Sequence, residues 1–225
     1  LEKFGHTVTK LYPSLVQIKT DNISVKSLKG IKVEADARIS GTDYAETGEI
    51  LFTDYGLSGP PVFSLSSRIK TGDTITLDIM KEYSEEEIAE LLRKARKPYK
   101  SVENYMVGIL DKRIGMALIK ECFSVSFADS SDIIDEQKIQ KLARKIKSWE
   151  FRVTGTMSWN NAQVTKGGIR TKEINPYTME SRLVPGLYIC GEILDVDGDC
   201  GGFNLQWAWS SGYIAGSSAA DKKKV

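Results

Sequence analysis

The hydrophobic pattern of the chain changes its period twice, and this constrains the fold more than any other feature. Apolar and polar residues alternate through segments such as 31–35 and 74–79, which predicts half-buried β-strands. From Ser84 the apolar residues recur at helical spacing, and from Phe151 the alternation returns. A β block that is interrupted by helices and then resumed predicts a small β barrel or sandwich with a helical bundle inserted into it.

One segment of the first β block, residues 48–61, carries a strand into a stretch rich in Gly and Pro. Two interpretations stay open: a loop that faces a cofactor or substrate, or a tight turn that caps the barrel. If the loop approaches a ligand, Tyr55 and Ser58 are candidate proton donors. The sequence identifies no catalytic residue beyond these candidates.

Four helices are predicted between the two β blocks. Ser84 and Glu87 form a capping box at the start of the first helix, and Pro98 stops it. The other three are predicted over residues 102–110, 112–121 and 135–149. Basic and acidic residues are interspersed on their polar faces, which predicts a solvated surface rather than a nucleic-acid patch.

The composition argues against several classes of function. With 31 Lys and Arg against 30 Asp and Glu, the net charge of +1 gives no overall attraction to nucleic acid or an anionic membrane. No apolar run approaches the ~20 residues of a membrane span, and the lysines at 222–224 are predicted to be a solvated end. Cysteines at 122, 190 and 200 lack the spacing of a disulfide framework or a zinc site. We expect a soluble cytoplasmic protein that binds a small-molecule substrate and no nucleic acid, membrane or metal.

His6 is the only histidine. It therefore cannot belong to a histidine metal cluster, and the sequence offers no recognisable Ser-His-Asp triad. We expect this side chain to lie on the surface or to serve packing.

The C-terminal stretch from residue 187 predicts a strand, an acidic turn and a helix in succession. Residues 187–190 are a short apolar run suited to a strand in a buried parallel sheet. Gly191 lets the backbone turn close to a ligand, and Glu192 offers a carboxylate to ligand hydroxyl groups.

The helix that follows has a start suited to an anion. Gly201 and Gly202 permit close backbone approach, and Asn204 is a favourable N-cap for a helix over about residues 205–219. Free amides at such a helix start suit a group that is negative or becomes negative. We therefore expect the chemistry of the chain here.

Two further interpretations concern the same stretch. Acidic residues at 195, 197 and 199 imitate the start of a calcium loop, but the Gly and Glu that the loop requires are missing. Three aromatic residues of the helix form either a packing face or a cofactor contact, and packing is the simpler interpretation. They are Trp207, Trp209 and Tyr213.

Several segments together resemble the BaiN-like NAD(P)/FAD-dependent oxidoreductases, also described as aminoacetone oxidase family FAD-binding enzymes. These segments are residues 48–53, 57–60, 153–156, 162–169 and 171–176, with the opening of the chain. The resemblance implies a glutathione-reductase-like α/β FAD domain interrupted by an α+β insert, which is the β subdomain and the helical bundle. It implies a flavin site at or near Gly167, Gly168, Gly191, Glu192, Asp199, Gly201, Gly202, Phe203, Asn204 and Leu205.

The resemblance also implies a domain organisation. Residues 1–18 connect from the FAD domain, 19–80 form the β subdomain, 81–149 the helical bundle, 150–166 the returning strands, and 167–225 the end of the FAD domain. The GxGxxG motif of the family's N-terminal half is absent. We therefore expect the chain to be a C-terminal portion of a bacterial enzyme that passes hydride from NAD(P)H through FAD to an organic acceptor.

On this interpretation the chain by itself is inactive and binds FAD weakly or not at all. The alternative is a binding or scaffold module whose C-terminal unit is only structural. The substrate, the choice between NADH and NADPH, and the oligomeric state stay open.

Overall fold

The structure, a computed structural model, describes residues 1–21, 24–97 and 99–221. The predicted helix stop at Pro98 and the lysines at 222–224 lie outside the described residues. The chain divides into two compact units. The barrel unit comprises Ile18–Leu65 and Ile69–Thr156, and the terminal unit comprises Leu1–Gln17, Ser66–Arg68 and the chain from Met157 onward.

Strands and helices alternate in blocks along the described residues. The strands are β1 Tyr12–Ser14, β2 Ile18–Thr20, β3 Lys32–Ile39, β4 Ala45–Phe52, β5 Gly56–Ser58, β6 Thr74–Asp78, β7 Trp149–Thr156 and β8 Val164–Lys166. The α-helices are α1 Ser24–Ser27, α2 Pro60–Ser66, α3 Glu85–Ala95, α4 Lys112–Cys122, α5 Glu136–Lys147 and α6 Phe203–Asp221.

Six strands of the barrel unit close on themselves in the order β2-β5-β4-β3-β6-β7, with antiparallel pairing throughout. β7 follows the helices and completes the barrel, because it pairs with β6 at Leu77↔Trp149 and with β2 at Ile18↔Thr156. The structure thus confirms a small barrel with a helical region and decides between barrel and sandwich.

Large aromatic side chains from β4 and β7 fill the barrel core. Trp149 is fully buried, with its ring centroid 5.1 Å from that of Phe151 and 5.5 Å from that of Phe52. On β3 the inward positions include the small residues Ala35 and Ala37, both fully buried. Small side chains on one strand leave room for rings from others, so the interior is filled by side chains.

The helical block agrees with three of the four predicted helices. The capping box at α3 is present, since Glu87 N donates to Ser84 Oγ and Ser84 N donates to the Glu87 carboxylate. Arg93 of α3 and Glu136 of α5 form an ion pair with Nη2 and Oε1 2.7 Å apart. This pair holds the pKa of Glu136 at about 2, well below its ordinary value, and ties the end of one helix to the start of the other.

The predicted helix over residues 102–110 is wrong. Only Val102–Asn104 forms a short 3-10 helix, and the chain then continues in turns. Gly108 has a left-handed φ of +94°, and Ile109 N bonds to Met106 O, three residues back. A left-handed residue interrupts an α-helix, although the apolar spacing of this segment suits one.

Most of the Gly- and Pro-rich segment over residues 48–61 forms regular secondary structure, and whether it faces a cofactor or substrate stays a prediction. It contains the end of β4, the short strand β5 and the first turn of α2. Pro60 and Pro61 open this helix, where proline is tolerated because the first amides have no partner within the helix.

The terminal unit has little regular sheet. β1 and β8 pair antiparallel, and isolated bridges join other segments. The predicted strand over residues 187–190 is wrong: Tyr188 makes a single antiparallel bridge with Glu180, and Ile189 N bonds to Met179 O. The turn that precedes Leu187 folds residues 187–190 back onto residues 179–181. Among the described residues, this run therefore bonds to its own neighbourhood in the chain rather than to a parallel sheet.

We predict that Trp149→Ala lowers the free energy of unfolding by about 3–5 kcal/mol, because it leaves a cavity at the centre of the barrel. Tyr99→Ala, at a side chain that is 87% exposed, should change it by less than about 0.5 kcal/mol. Urea unfolding followed by circular dichroism measures both, and equal effects would contradict a core role for Trp149.

Candidate functional site

Two cavities lie within the terminal unit, and Glu192 contributes to both. The α6 cavity, of about 350 Å³, lies at the start of α6 and is lined by six predicted site residues. These are Glu192, Asp199, Gly201, Gly202, Asn204 and Leu205. The second cavity, of about 620 Å³, is lined by Gly167 and Gly168 together with residues from the opening of the chain. Eight of the ten predicted residues thus line one or both of two cavities that share Glu192, whereas Gly191 and Phe203 line neither.

The start of α6 combines a glycine turn with helix amides that have no partner within the helix. Gly202 has a φ of +88°, and a side chain there would meet open space. The first backbone bond of the helix runs from Gln206 N to Gly202 O, so the amides at positions 203–205 precede it. These amides and the positive end of a 19-residue helix make this turn suitable for an anionic group.

Asn204 is not the N-cap of this helix, because α6 begins one residue earlier, at Phe203. The side chain of Asn204 instead clamps the preceding turn. Its Oδ1 accepts from Gly198 N at 2.9 Å, and its Nδ2 donates to Gly198 O at 2.9 Å. The asparagine amide therefore fixes the shape of the turn that borders the α6 cavity.

Gly167 and Gly168 are required by the packing of the chain itself. A side chain at Gly167 would collide with the carbonyl oxygen of Lys10, and one at Gly168 with that of Ile193. Their φ values of +94° and +149° also disfavour other residues. Close backbone approach therefore explains this pair without a ligand.

Gly191 and Glu192 have different roles. Gly191 is buried, its amide donates to Ser211 Oγ at 2.9 Å, and its carbonyl accepts from Trp207 Nε1 at 3.1 Å. Gly191 therefore anchors α6 rather than facing a cavity. The exposed Glu192 accepts a hydrogen bond from Thr165 N and lines both cavities.

Two of the alternating aspartates pair with cations. Asp199 Oδ1 lies 2.7 Å from Arg68 Nη1, and Asp197 Oδ2 lies 4.0 Å from Lys166 Nζ. The carboxylates of this turn thus contact basic side chains of the same unit. Arg68 lies about 130 positions earlier in the chain, and no sequence pattern indicated that it belongs to this site.

The outer part of α6 is unusually apolar for an exposed surface. Trp207 packs against the core of the terminal unit, as the packing interpretation expects. Trp209 and Tyr213 do not, since they are 67% and 77% exposed. Phe203 and Leu205, two predicted site residues, are 63% and 61% exposed. Leu205, Trp209 and Tyr213 recur every four residues and share one stripe of the helix, and Phe203 lies at the helix start. We call these four exposed side chains the outer α6 face.

The candidate proton donors belong to the barrel unit. Ser58 lies in β5 and is 7% exposed, and Tyr55 lies in the turn between β4 and β5.

His6 takes part in a buried network that sequence reasoning did not find. Its Nε2 lies 2.9 Å from Ser181 Oγ, and its Nδ1 lies 3.0 Å from Glu173 Oε2. This is the connectivity of a Ser-His-carboxylate triad, but Ser181 is 5% exposed and its Oγ accepts from the amides of Leu183 and Val184. The network therefore serves packing, which was one of the two expectations for His6. In the sequence, the presence of His6 is the one feature that points to this network.

Comparison with known proteins places this architecture in a family. A family model described as "HI0933-like protein barrel and H2TH domain" matches residues 12–164. The chain belongs to the HI0933-like family. It is 35% identical over 97% of its length to the 3-dehydro-bile acid delta(4,6)-reductase of Clostridium scindens. It is 33% identical over 96% of its length to the ribosomal RNA dihydrouridine synthase of Haemophilus influenzae, and 32% identical over 94% to that of Escherichia coli.

This HI0933-like chain spans about half the length of these relatives, namely 56%, 54% and 53%. The relatives are named as enzymes, which supports enzyme status for the family. Of the helices in the described residues, none combines the length and the apolar character that a membrane span requires.

We predict that the terminal unit loses stability as the pH falls through and below 4.5. Hydrogen bonds from Thr7, and the neighbouring His6, hold the pKa of Glu173 below its ordinary value of 4.5. A carboxyl whose folded pKa is depressed stabilises the fold above its unfolded pKa, and this contribution is lost as the pH falls through the folded pKa.

Glu173→Gln should remove this part of the pH dependence, whereas Glu2→Gln, at an exposed residue of the same unit, should retain it. Urea unfolding between pH 7 and pH 3 measures the effect. Parallel profiles for Glu173→Gln and the unaltered chain would contradict it.

Proposed function

We propose that this HI0933-like chain is the C-terminal portion of a bacterial, cytoplasmic flavoenzyme that passes hydride from NAD(P)H through FAD to an organic acceptor. The observation that carries the proposal is the start of α6, where a glycine turn, unpaired amides and a cavity coincide. The chain alone is proposed to be inactive, because a flavin site needs a pyrophosphate-binding loop that its sequence lacks.

The names of the relatives favour a particular acceptor. A delta(4,6)-reductase of a 3-dehydro-bile acid saturates carbon–carbon double bonds of a ketone, and dihydrouridine is uridine with its ring double bond reduced. Both acceptors have a carbon–carbon double bond conjugated to a carbonyl group. We propose the same class of acceptor here, in a small molecule, since the net charge of +1 offers little attraction to RNA.

The residues at the α6 cavity fit part of a flavin. A volume of about 350 Å³ suits a ring system rather than the whole dinucleotide, and Gly202 leaves open space beside it. Bound FAD would supply the hydride-transferring centre. The amides at positions 203–205 would stabilise negative charge on its pyrimidine edge, and Glu192 is placed to accept from hydroxyl groups.

The outer α6 face supports the proposed attachment to a glutathione-reductase-like FAD domain. Four large apolar side chains on one helix, each more than 60% exposed, are costly to leave in water. The relatives are almost twice as long as this chain. Coverage of the face by the rest of the FAD domain would remove this cost.

We predict that the purified chain contains no stoichiometric flavin, whereas a longer protein that carries the missing half is yellow and is bleached by NADH or NADPH. Flavin absorbance after denaturation and anaerobic reduction measure this. A longer protein that ignores FAD would favour the scaffold module instead. The rate at which the longer protein reduces an α,β-unsaturated ketone is then compared with its rate on uridine-containing RNA. Reduction of the RNA but not of the ketone would overturn the small-molecule assignment.

We also predict that Gly202→Leu lowers flavin retention of the longer protein by about tenfold or more, because the new side chain fills the space beside the α6 cavity. Gly186→Leu is the matched control: Gly186 has a φ of +83°, open space around it and no part in the cavity lining. Equal losses in both variants would indicate backbone strain and would count against the site. The measurement is the flavin-to-protein ratio after gel filtration.

A further inference from the structure

The barrel unit contains a cavity of its own, of about 530 Å³, that the proposed flavin chemistry does not use. One stripe of α4 lines it, since its residues recur at helical spacing: Arg113, Met116, Ala117, Lys120 and Glu121. Residues three and four apart share a face of a helix, so this stripe presents a continuous surface. Phe127 and residues of α1 complete the lining.

The cavity lining combines apolar side chains with two cations, two serines and one carboxylate. Met116, Ala117 and Phe127 provide hydrocarbon and ring surface. Arg113 and Lys120 are seven residues apart on α4, which places their backbones about 10 Å apart along the helix axis. Ligand sites combine such an apolar lining with a few placed polar groups, and a volume of this size suits a small organic molecule.

Arg113 and Lys120 supply the positive charge of the cavity. Arg113 donates to the carbonyl oxygen of Ser27, at 3.1 Å from Nε, and also to that of Lys29, so its guanidinium is held in place. Over the described part of the chain, neither Arg113 nor Lys120 has a carboxylate at ion-pair distance.

The one acidic residue of the lining, Glu121, is paired through one of its two carboxylate oxygens. Glu121 Oε2 lies 3.1 Å from Lys145 Nζ and accepts from the indole of Trp149 at 3.0 Å, whereas Oε1 is buried without a hydrogen-bond partner among the described residues. Two cations against one carboxylate leave the lining with an excess of one positive charge.

We propose that this cavity binds an amphipathic organic acid, with the apolar body on Met116, Ala117 and Phe127 and the anionic group at Lys120, because Arg113 already donates to backbone carbonyl oxygens. Charge complementarity selects an anion, and the apolar part of the lining selects a hydrocarbon or ring body rather than a free inorganic ion. A nucleic acid would use the same cations but would not require the apolar lining.

The test is a titration of the full chain, labelled with ¹³C in its methionine methyl groups, with sodium octanoate. The Met116 signal, assigned with Met116→Leu, should shift and saturate, whereas that of the buried Met106 should stay unchanged and report an intact fold. Uncharged 1-octanol should bind at least about fivefold more weakly. A Met116 signal that does not saturate, or equal affinities for the acid and the alcohol, would overturn the proposal.

Lys120→Gln should weaken octanoate binding by about threefold to fivefold, because it removes one exposed cation and no described hydrogen bond. Lys70→Gln, at another exposed lysine of the barrel unit, should leave the affinity unchanged. Equal affinities for Lys120→Gln and the unaltered chain would contradict the role of the cations. A single-stranded oligouridylate that shifts Met116 at lower concentration than octanoate would assign the cavity to nucleic acid and overturn the proposal.

Discussion

The antiparallel pairing of β7 with β2 is the interaction on which the barrel unit depends. Ile18 and Thr156 are partners in this pairing, although they are 138 positions apart. Without it, β2 and β7 would each present an unpaired edge, and the aromatic side chains of β7 would lose their enclosure. Closure therefore buries Trp149 and places the helical block as an excursion between two strands of one barrel.

In the terminal unit, the reason for each glycine distinguishes scaffold from candidate site. At Gly167 and Gly168 the protein's own carbonyl oxygens fill the space that a side chain would need, so these residues are explained by folding alone. Gly202 combines a left-handed backbone with open space at the start of α6. Two residues later, the side-chain amide of Asn204 makes two hydrogen bonds to the backbone of Gly198. These bonds fix the shape of the turn beside the cavity. Open space also surrounds Gly186, so the cavity beside Gly202 is the feature that distinguishes this turn.

Local signals allowed much of the barrel unit to be predicted. Ser84 and Glu87 satisfy each other within one helical turn, so the sequence suffices for this helix start. The helix over 102–110 failed because apolar spacing does not reveal the left-handed conformation of Gly108. The role of Asn204 was missed because N-caps and turn clamps favour the same side chain. The buried histidine network joins residues 167 and 175 positions apart, and no local pattern records such a contact.

The position of β7 in the chain also sets the order in which the barrel is completed during synthesis. β6 ends at Asp78 and β7 begins at Trp149, so about 70 residues are added between them. At 5–20 residues per second this takes roughly 4 to 14 s. Through that interval β6 and β2 have no partner on one side, and such edges promote pairing between nascent chains. The helices α3, α4 and α5 are also synthesised within this interval, before the strand that closes the barrel.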